Sequence, residues 1–258
     1  MTDIGIKNGK ALHIEGLAKN FGGLNILEQL SLSVVPGERR AIIGPNGAGK
    51  TTLFNVITGE LSASKGSISL FGKEVTEMPN HQRARLGMAR SYQKNNLFLN
   101  LSVLDNLILV LQRKHNHSWN WFSQRSPKKF PRLYEEAETF LETWNLAGKS
   151  HVNVAELSYG EQREIEILLG VAADPKLILL DEPTAGMSVA ETQNMLKLLE
   201  TIPADMTMLI IEHDMELVFG LADRITVLYY GKVLAEGTPE EIRADSRVRE
   251  VYLGSEVS

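Results

Sequence analysis

The chain has 258 residues, a net charge of −5 and no cysteine. It is long for one ordinary domain and short for two, so one domain with an inserted subdomain is expected. The acidic balance argues against nucleic-acid binding as the main task, and the lack of cysteine excludes disulfides and cysteine-based metal or nucleophile chemistry.

The start of the chain has no apolar stretch of signal-peptide length. No run approaches the roughly 18 apolar residues that span a bilayer, so any membrane role is expected to be peripheral.

In chain order, Leu12–Leu17 and Leu30–Val34 alternate as strands. Pro36-Gly37 turns into Arg40–Ile43, a short buried strand running into a glycine-rich loop. Lys50–Thr58 reads as a helix closed by Gly59, and 67–71 with 73–75 as a hairpin about Gly72. Ser102 can cap a helix carrying Leu104, Leu107, Ile108 and Leu111. Leu133–Leu146 sets Phe140, Leu141 and Trp144 against Glu135, Glu136 and Glu138. Gly160–Ala173 is a predicted helix stopped by Asp174-Pro175.

Strand and helix then alternate. The strands are Leu177–Leu180, Thr207–Ile211 and Ile225–Tyr229, and the helices Val189–Ile202 and Met215–Ala222. The pattern predicts a mostly parallel sheet with helices on both faces. Thr238-Pro239-Glu240-Glu241 is a capping box with proline in the first turn, opening a C-terminal helix.

Gly44-Pro45-Asn46-Gly47-Ala48-Gly49-Lys50-Thr51 is an uninterrupted phosphate-binding loop, followed by Thr52 in the same set, with a strand before it and a helix after. Glycines let backbone N–H groups converge on phosphate oxygens at the positive end of a helix. Lys50 is expected on the β and γ phosphates, and Thr51 on Mg²⁺. The apolar run Leu177–Leu180 ends in Asp181-Glu182, which puts two carboxylates at the sheet edge where such folds bind ligands. Asp181 is expected to hold the metal. Glu182 is expected to polarise the attacking water, a role worth about 10²–10⁴-fold in rate. No Asn-Lys-x-Asp run is present, which weakens a GTPase reading.

Leu157-Ser158-Tyr159-Gly160-Glu161-Gln162 lies between the two halves of that site. With it, nearly the whole chain resembles an ATP-binding-cassette (ABC) ATPase subunit. The resemblance implies an α/β phosphate-loop NTPase with a RecA-like core, an N-terminal antiparallel β subdomain and an inserted helical subdomain. It makes 1–258 a single ATPase domain, with the helical subdomain at 94–157 and a helical tail at 236–258.

It also implies that Phe21, in Lys19-Asn20-Phe21-Gly22-Gly23, stacks on adenine. Gln93, after Tyr92, would contact the Mg²⁺ and water side, and His213, in Glu212-His213-Asp214, the γ-phosphate and the catalytic acid. Ser158, Gly160 and Glu161 would face the γ-phosphate held by a second ATPase subunit, so that two chains sandwich two ATPs. The further partners implied are transmembrane permease subunits and, indirectly, an extracytoplasmic substrate-binding protein. The implied location is the cytoplasmic face of the membrane.

Tyr159 and Glu161 depart from the commonest signature spelling, Leu-Ser-Gly-Gly-Gln. Thr184-Ala185-Gly186-Met187-Ser188 replaces a commoner Ser-Ala-Leu-Asp. These variants, with Phe54–Gly59, Ala222–Ile225 and the ending Val251-Tyr252-Leu253-Gly254, resemble importers of branched-chain amino acids and their urea-importer relatives. Within that group the chain is similar to the longer of two paralogues that pair as a heterodimer, although a homodimer stays open. The lipopolysaccharide-export ATPase shares the tail but keeps two glycines in its signature. Soluble cassette proteins usually carry two cassettes or a long coiled-coil insert, and this chain has neither.

Residues 113–132 carry Arg113, Lys114, Arg125, Lys128, Lys129 and Arg132 without an acid, beside Trp119, Trp121 and Phe122. This +6 within a total of −5 leaves −11 on the remainder. The first reading is a solvated insertion, and the second a contact with anionic lipid headgroups or permease loops.

Overall fold

The computed structural model describes residues 9–91, 97–115 and 130–254. Tyr92, Gln93 and residues 116–129 of the basic insert lie outside the described residues.

The first elements are β1 (Leu12–Phe21), β2 (Leu24–Val34), β3 (Arg39–Ile43) and α1 (Lys50–Thr58). Next come β4 (Lys65–Leu70), β5 (Lys73–Glu74), α2 (Asn80–Arg85) and β6 (Met88–Arg90). The helices α3 (Val103–Lys114), α4 (Pro131–Thr143) and α5 (Tyr159–Ala172) follow. The chain continues with β7 (Leu177–Asp181), α6 (Val189–Glu200), β8 (Thr207–Ile211) and α7 (Met215–Leu221). It closes with β9 (Arg224–Tyr229), β10 (Lys232–Gly237), α8 (Pro239–Ala244) and α9 (Ser246–Gly254).

Two compact units share these elements. The first takes Met1–Arg90, Lys176–Pro183 and Pro203–Ser258, and the second Ser91–Pro175 and Thr184–Ile202.

The first unit contains both sheets. One has the order β2-β1-β4-β5 and is antiparallel throughout. The other has the order β10-β9-β3-β8-β7-β6; β9, β3, β8, β7 and β6 run parallel, and β10 closes one edge antiparallel. All five residues of β7 and of β8 are buried, as expected of strands covered on both faces. The core joins Leu12, Ile14 and Leu17 of β1 to Leu53, Phe54 and Ile57 of α1 and to Leu179 and Leu209.

The predicted parallel sheet and N-terminal strands are present, but β1 and β2 are longer than expected. Their pairing carries register shifts that break the alternation. β10 was not anticipated, because only Ala235 and Gly237 of its six residues are buried, a weak period for an edge strand. The three-residue β6 and the short helix α2 also escaped the sequence reading.

In the second unit, α3 packs on α4 and α5, and α5 packs on α6. Ser102 caps α3 as expected, its hydroxyl accepting the Asp105 N–H at 3.0 Å. The expected helix 133–146 stops at Thr143 because Asn145 adopts a left-handed backbone with φ 55°, although Leu146 stays buried. Ser158 and Ser188 cap α5 and α6 through reciprocal boxes with Glu161 and Glu191.

One buried cation anchors the end of α1. The Arg83 guanidinium donates to the carbonyls of Val56 (2.8 Å), Ile57 (2.7 Å), Met78 (2.7 Å) and Thr76 (2.9 Å). Two of these belong to the last turn of α1, where carbonyls lack helical partners. Burial draws the guanidinium below the ordinary arginine range, and Glu77 partly opposes that shift. Gly59 makes room: a Cβ there would meet Arg83 Nε at 2.9 Å. Arg83→Ala is expected to cost about 3 kcal/mol, since hydrogen bonds from charged groups are each worth roughly 1.5–3. In thermal unfolding this corresponds to a Tm roughly 6–12 °C lower, and an unchanged Tm would refute the anchoring role.

Candidate functional site

The parallel register brings three sequence-distant segments to one level. Ile42 of β3 and Asp181 of β7 both pair with Ile211 of β8, in a single row across the sheet. The residues just beyond that row are the start of the glycine loop, Glu182, and Glu212-His213. This is the carboxyl edge at which open α/β sheets hold ligands.

The loop is a preformed cradle. Gly44, Gly47 and Gly49 have φ of 155°, 79° and 102°. A Cβ at Gly44 would sit 2.3 Å from the Leu228 carbonyl oxygen, so no larger residue fits there. At the tip, a Cβ on Gly47 would meet nothing within 4 Å, and Asn46 and Gly47 are exposed. Lys50 is buried, and its ammonium donates to the carbonyls of Gly44 (2.6 Å) and Pro45 (3.1 Å). Burial lowers the Lys50 pKa, while the charges of Glu182 and Asp181 raise it. Thr51 is exposed at the first turn of α1, and Thr52 is half-buried.

Glu182 sits in a left-handed backbone, φ 48°, a conformation that costs a non-glycine residue of order 1–3 kcal/mol. Its N–H still donates to the Ile211 carbonyl at 2.9 Å, continuing the ladder past β7. Its carboxylate lies 2.8 Å from His213 Nε2. Beside the histidine, Glu212 is buried and accepts the His213 N–H at 2.9 Å. Asp214 caps α7 by accepting the Leu217 N–H at 3.0 Å.

Arg90, at the end of β6, was not singled out from sequence. Its guanidinium spans Asp181 Oδ2 (2.8 Å), Asn55 Oδ1 (2.7 Å) and Glu60 Oε2 (3.0 Å), with Phe54 5.8 Å from its carbon. A cation in a three-residue strand just before Ser91-Tyr92-Gln93 is the only local signal it leaves. It balances the charge of a buried carboxylate that would otherwise be expensive.

The remaining predicted residues are placed as follows. Phe21 ends β1 with its ring half-exposed and Lys19 Nζ 4.9 Å from the ring centre. Across that hairpin, Leu27 would lie 2.9 Å from a Cβ at Gly49, so β2 borders the loop.

Ser158, Gly160 and Glu161 belong to the second unit. Ser158 Oγ accepts the Glu161 N–H at 3.3 Å, and the Glu161 carboxylate accepts the Ser158 N–H at 2.8 Å and pairs with Lys149. Lys149 is the main cause holding the Glu161 carboxyl below the usual range. A Cβ at Gly160 would approach Glu191 Oε1 to 2.8 Å. Tyr159 is 50% exposed, its ring edge near Gly186.

These residues fit a nucleoside triphosphate with Mg²⁺. The cradle excludes side-chain bulk, Lys50 supplies the cation, and Thr51 and Asp181 are hard oxygen donors of the kind Mg²⁺ prefers. The fold and site define a phosphate-loop nucleotide-binding protein.

A family model described as ABC transporter matches residues 27–185, and one described as branched-chain amino acid ATP-binding cassette transporter matches 232–258. The chain belongs to the ABC transporter family. It is 38% identical over 249 residues to the high-affinity branched-chain amino acid transport ATP-binding protein LivG of Escherichia coli, covering 94% of this chain and 97% of that protein. It is 36% identical over 249 residues to BraF of Pseudomonas aeruginosa, a protein of the same description, with the same coverage. Among solved structures, the ADP conformation of an ATP-binding cassette of an ABC transporter matches with a TM-score of 0.80 and 32% identity, over 95% of this chain and 99% of that one. A nucleotide-free cassette matches at a TM-score of 0.78 and 31% identity, over 94% and 98%.

The Arg90–Asp181 pair can be tested by a double-mutant cycle in denaturant unfolding. Arg90→Met alone is expected to cost about 3–5 kcal/mol by leaving a buried charge unbalanced. Combined with Asp181→Asn, the two changes should fall short of additivity by about 1–3 kcal/mol. Additive losses would mean that Arg90 acts elsewhere.

Proposed function

We propose that this chain is the ATP-hydrolysing subunit of an ABC importer for branched-chain amino acids. The observation that carries the reading is the alignment of the glycine loop, Asp181-Glu182 and His213 at one sheet edge, with a tail matching the branched-chain amino acid cassette model.

In this reading the loop amides of 44–51 and Lys50 bind the β and γ phosphates, with Thr52 at the same helix start, and Phe21 offers its exposed face to adenine. Lys50 exchanges its two carbonyl partners for phosphate oxygens. Mg²⁺, held by Thr51 and Asp181 with Gln93 alongside, would neutralise charge on those oxygens. Glu182 accepts a proton from water as the water oxygen attacks the γ-phosphorus and the bond to ADP breaks. His213, already paired with Glu182, orients that carboxylate and meets the γ-phosphate.

Ser158, Gly160 and Glu161 serve the site of a second ATPase subunit, so each chain is half of a shared pair. The single domain 1–258, with its helical subdomain at 94–157 and tail at 236–258, couples this closure to permease subunits at the cytoplasmic face of the membrane. An extracytoplasmic binding protein presents the amino acid, which never touches this chain. No helix among the described residues is long and apolar enough to cross a membrane, in keeping with a motor that attaches to separate permease subunits.

The test is Glu182→Gln. Steady-state turnover of the assembled transporter is expected to fall by about 10²-fold or more, while ATP binding persists and ATP-bound dimers accumulate in size-exclusion chromatography. Turnover equal to wild type would remove Glu182 as the base.

A further inference from the structure

The signature end of the second unit is crowded with charge. A cleft of about 460 Å³ there is lined by Glu161, Glu164 and Glu191 together with Lys149 and Lys197. Two of these carboxylates are committed to caps: Glu161 accepts the Ser158 N–H at 2.8 Å, and Glu191 the Ser188 N–H at 2.8 Å. Between them Gly160 has no room for a side chain, because a Cβ would come within 2.8 Å of Glu191 Oε1. Burial pushes the Glu164 carboxyl above the ordinary range; Lys149 draws it back, and Glu161 and Glu191 add to the rise.

That balance matters for an anion. The first turn of a helix attracts negative charge, and at α5 the Glu161 carboxylate already occupies it. A phosphate approaching Ser158 and Gly160 meets that charge as well as the helix amides. Lys149 is placed to resolve the conflict. It ends a short 3-10 turn, Ala147–Lys149, and its backbone is held on both sides. Its N–H donates to the Leu146 carbonyl at 2.9 Å, and its carbonyl accepts the Val152 N–H at 3.0 Å. From there its ammonium pairs with Glu161 Oε1, while Oε2 keeps the Ser158 N–H. One carboxylate oxygen is thus used for charge and the other for the cap.

We propose that Lys149 is a positioning residue of the signature, holding the Glu161 carboxylate on its cap and cancelling its charge so that Ser158 and Gly160 can receive the γ-phosphate of a second subunit. This rests on the reading of 158–161 as facing that phosphate. It explains how a glutamate works where the commonest spelling has a neutral glutamine: the lysine and the glutamate form one unit, and the lysine loses its use once position 161 is uncharged.

The experiment compares full-length wild type, Lys149→Gln, Lys149→Arg, Glu161→Gln and the Lys149→Gln/Glu161→Gln double variant. Each is measured by Mg-ATP titration of the isolated chain, by steady-state turnover of the assembled transporter at low and high salt, and by thermal unfolding. Lys149→Gln is expected to bind Mg-ATP within about twofold of wild type, since the lysine serves the opposite site. Its turnover at low salt is expected to fall about 2- to 5-fold, the scale of a partly exposed ion pair of ~0.5–1 kcal/mol, and the deficit should shrink at high salt as charge is screened. Lys149→Arg, which keeps the charge, should stay within about twofold of wild type. Added to Glu161→Gln, Lys149→Gln should cost less than about 1.5-fold. The same loss in both backgrounds overturns the proposal, as does wild-type turnover by Lys149→Gln at low salt or a change confined to Tm. Ser158→Ala turning over like wild type would instead remove the reading of 158–161 itself, a separate outcome.

Discussion

The site depends on one row of the parallel sheet. With Ile42, Ile211 and Asp181 in register, the loop after β3, the acid pair after β7 and the histidine after β8 leave the sheet at the same height. A strand slipped by one residue would turn its side chains to the other face, moving Asp181 away from Lys50 and Glu182 away from His213. The buried strands enforce the register, because every residue of β7 and β8 is buried and none can be traded for solvent. Chemistry at the edge is thus a consequence of packing in the middle.

Charge is stored at that edge in paired form. Lys50 donates to the carbonyls of its own loop, Asp181 is held by Arg90, and Glu182 is held by His213. Each pair lets a charged group persist in a partly dry setting at tolerable cost. In the proposed function, each also presents a group that a phosphate or a metal claims by exchange. The left-handed backbone at Glu182 belongs to the same design: strain is accepted there because it aims a carboxylate at the histidine.

The parts legible in the sequence were those with local causes. The octapeptide 44–51 carries its loop geometry in its glycines. Ser102, Ser158 and Thr238 announce their helices because a cap acts within three residues. The strand at 177–181 declares itself through an unbroken apolar run. Arg90 was invisible as a site residue because its partner, Asp181, lies 91 positions away. Glu161, expected to face ATP, has a carboxylate that also caps α5 in a local box with Ser158 and pairs with Lys149, and of these only the Lys149 pair depends on the folded chain. β10 hid for a different reason: an edge strand with two buried residues has little period to read.

The central claim is that the loop is a preformed anion cradle in which Lys50 waits for phosphate. Calorimetric titration of the full-length chain with Mg-ATP, wild type against Lys50→Ala, tests it most directly. Saturable one-to-one binding by wild type is expected, weakened roughly 10- to 150-fold by Lys50→Ala on the scale of a charge-assisted hydrogen bond. Equal affinity in the two proteins, or no binding by wild type, would contradict it.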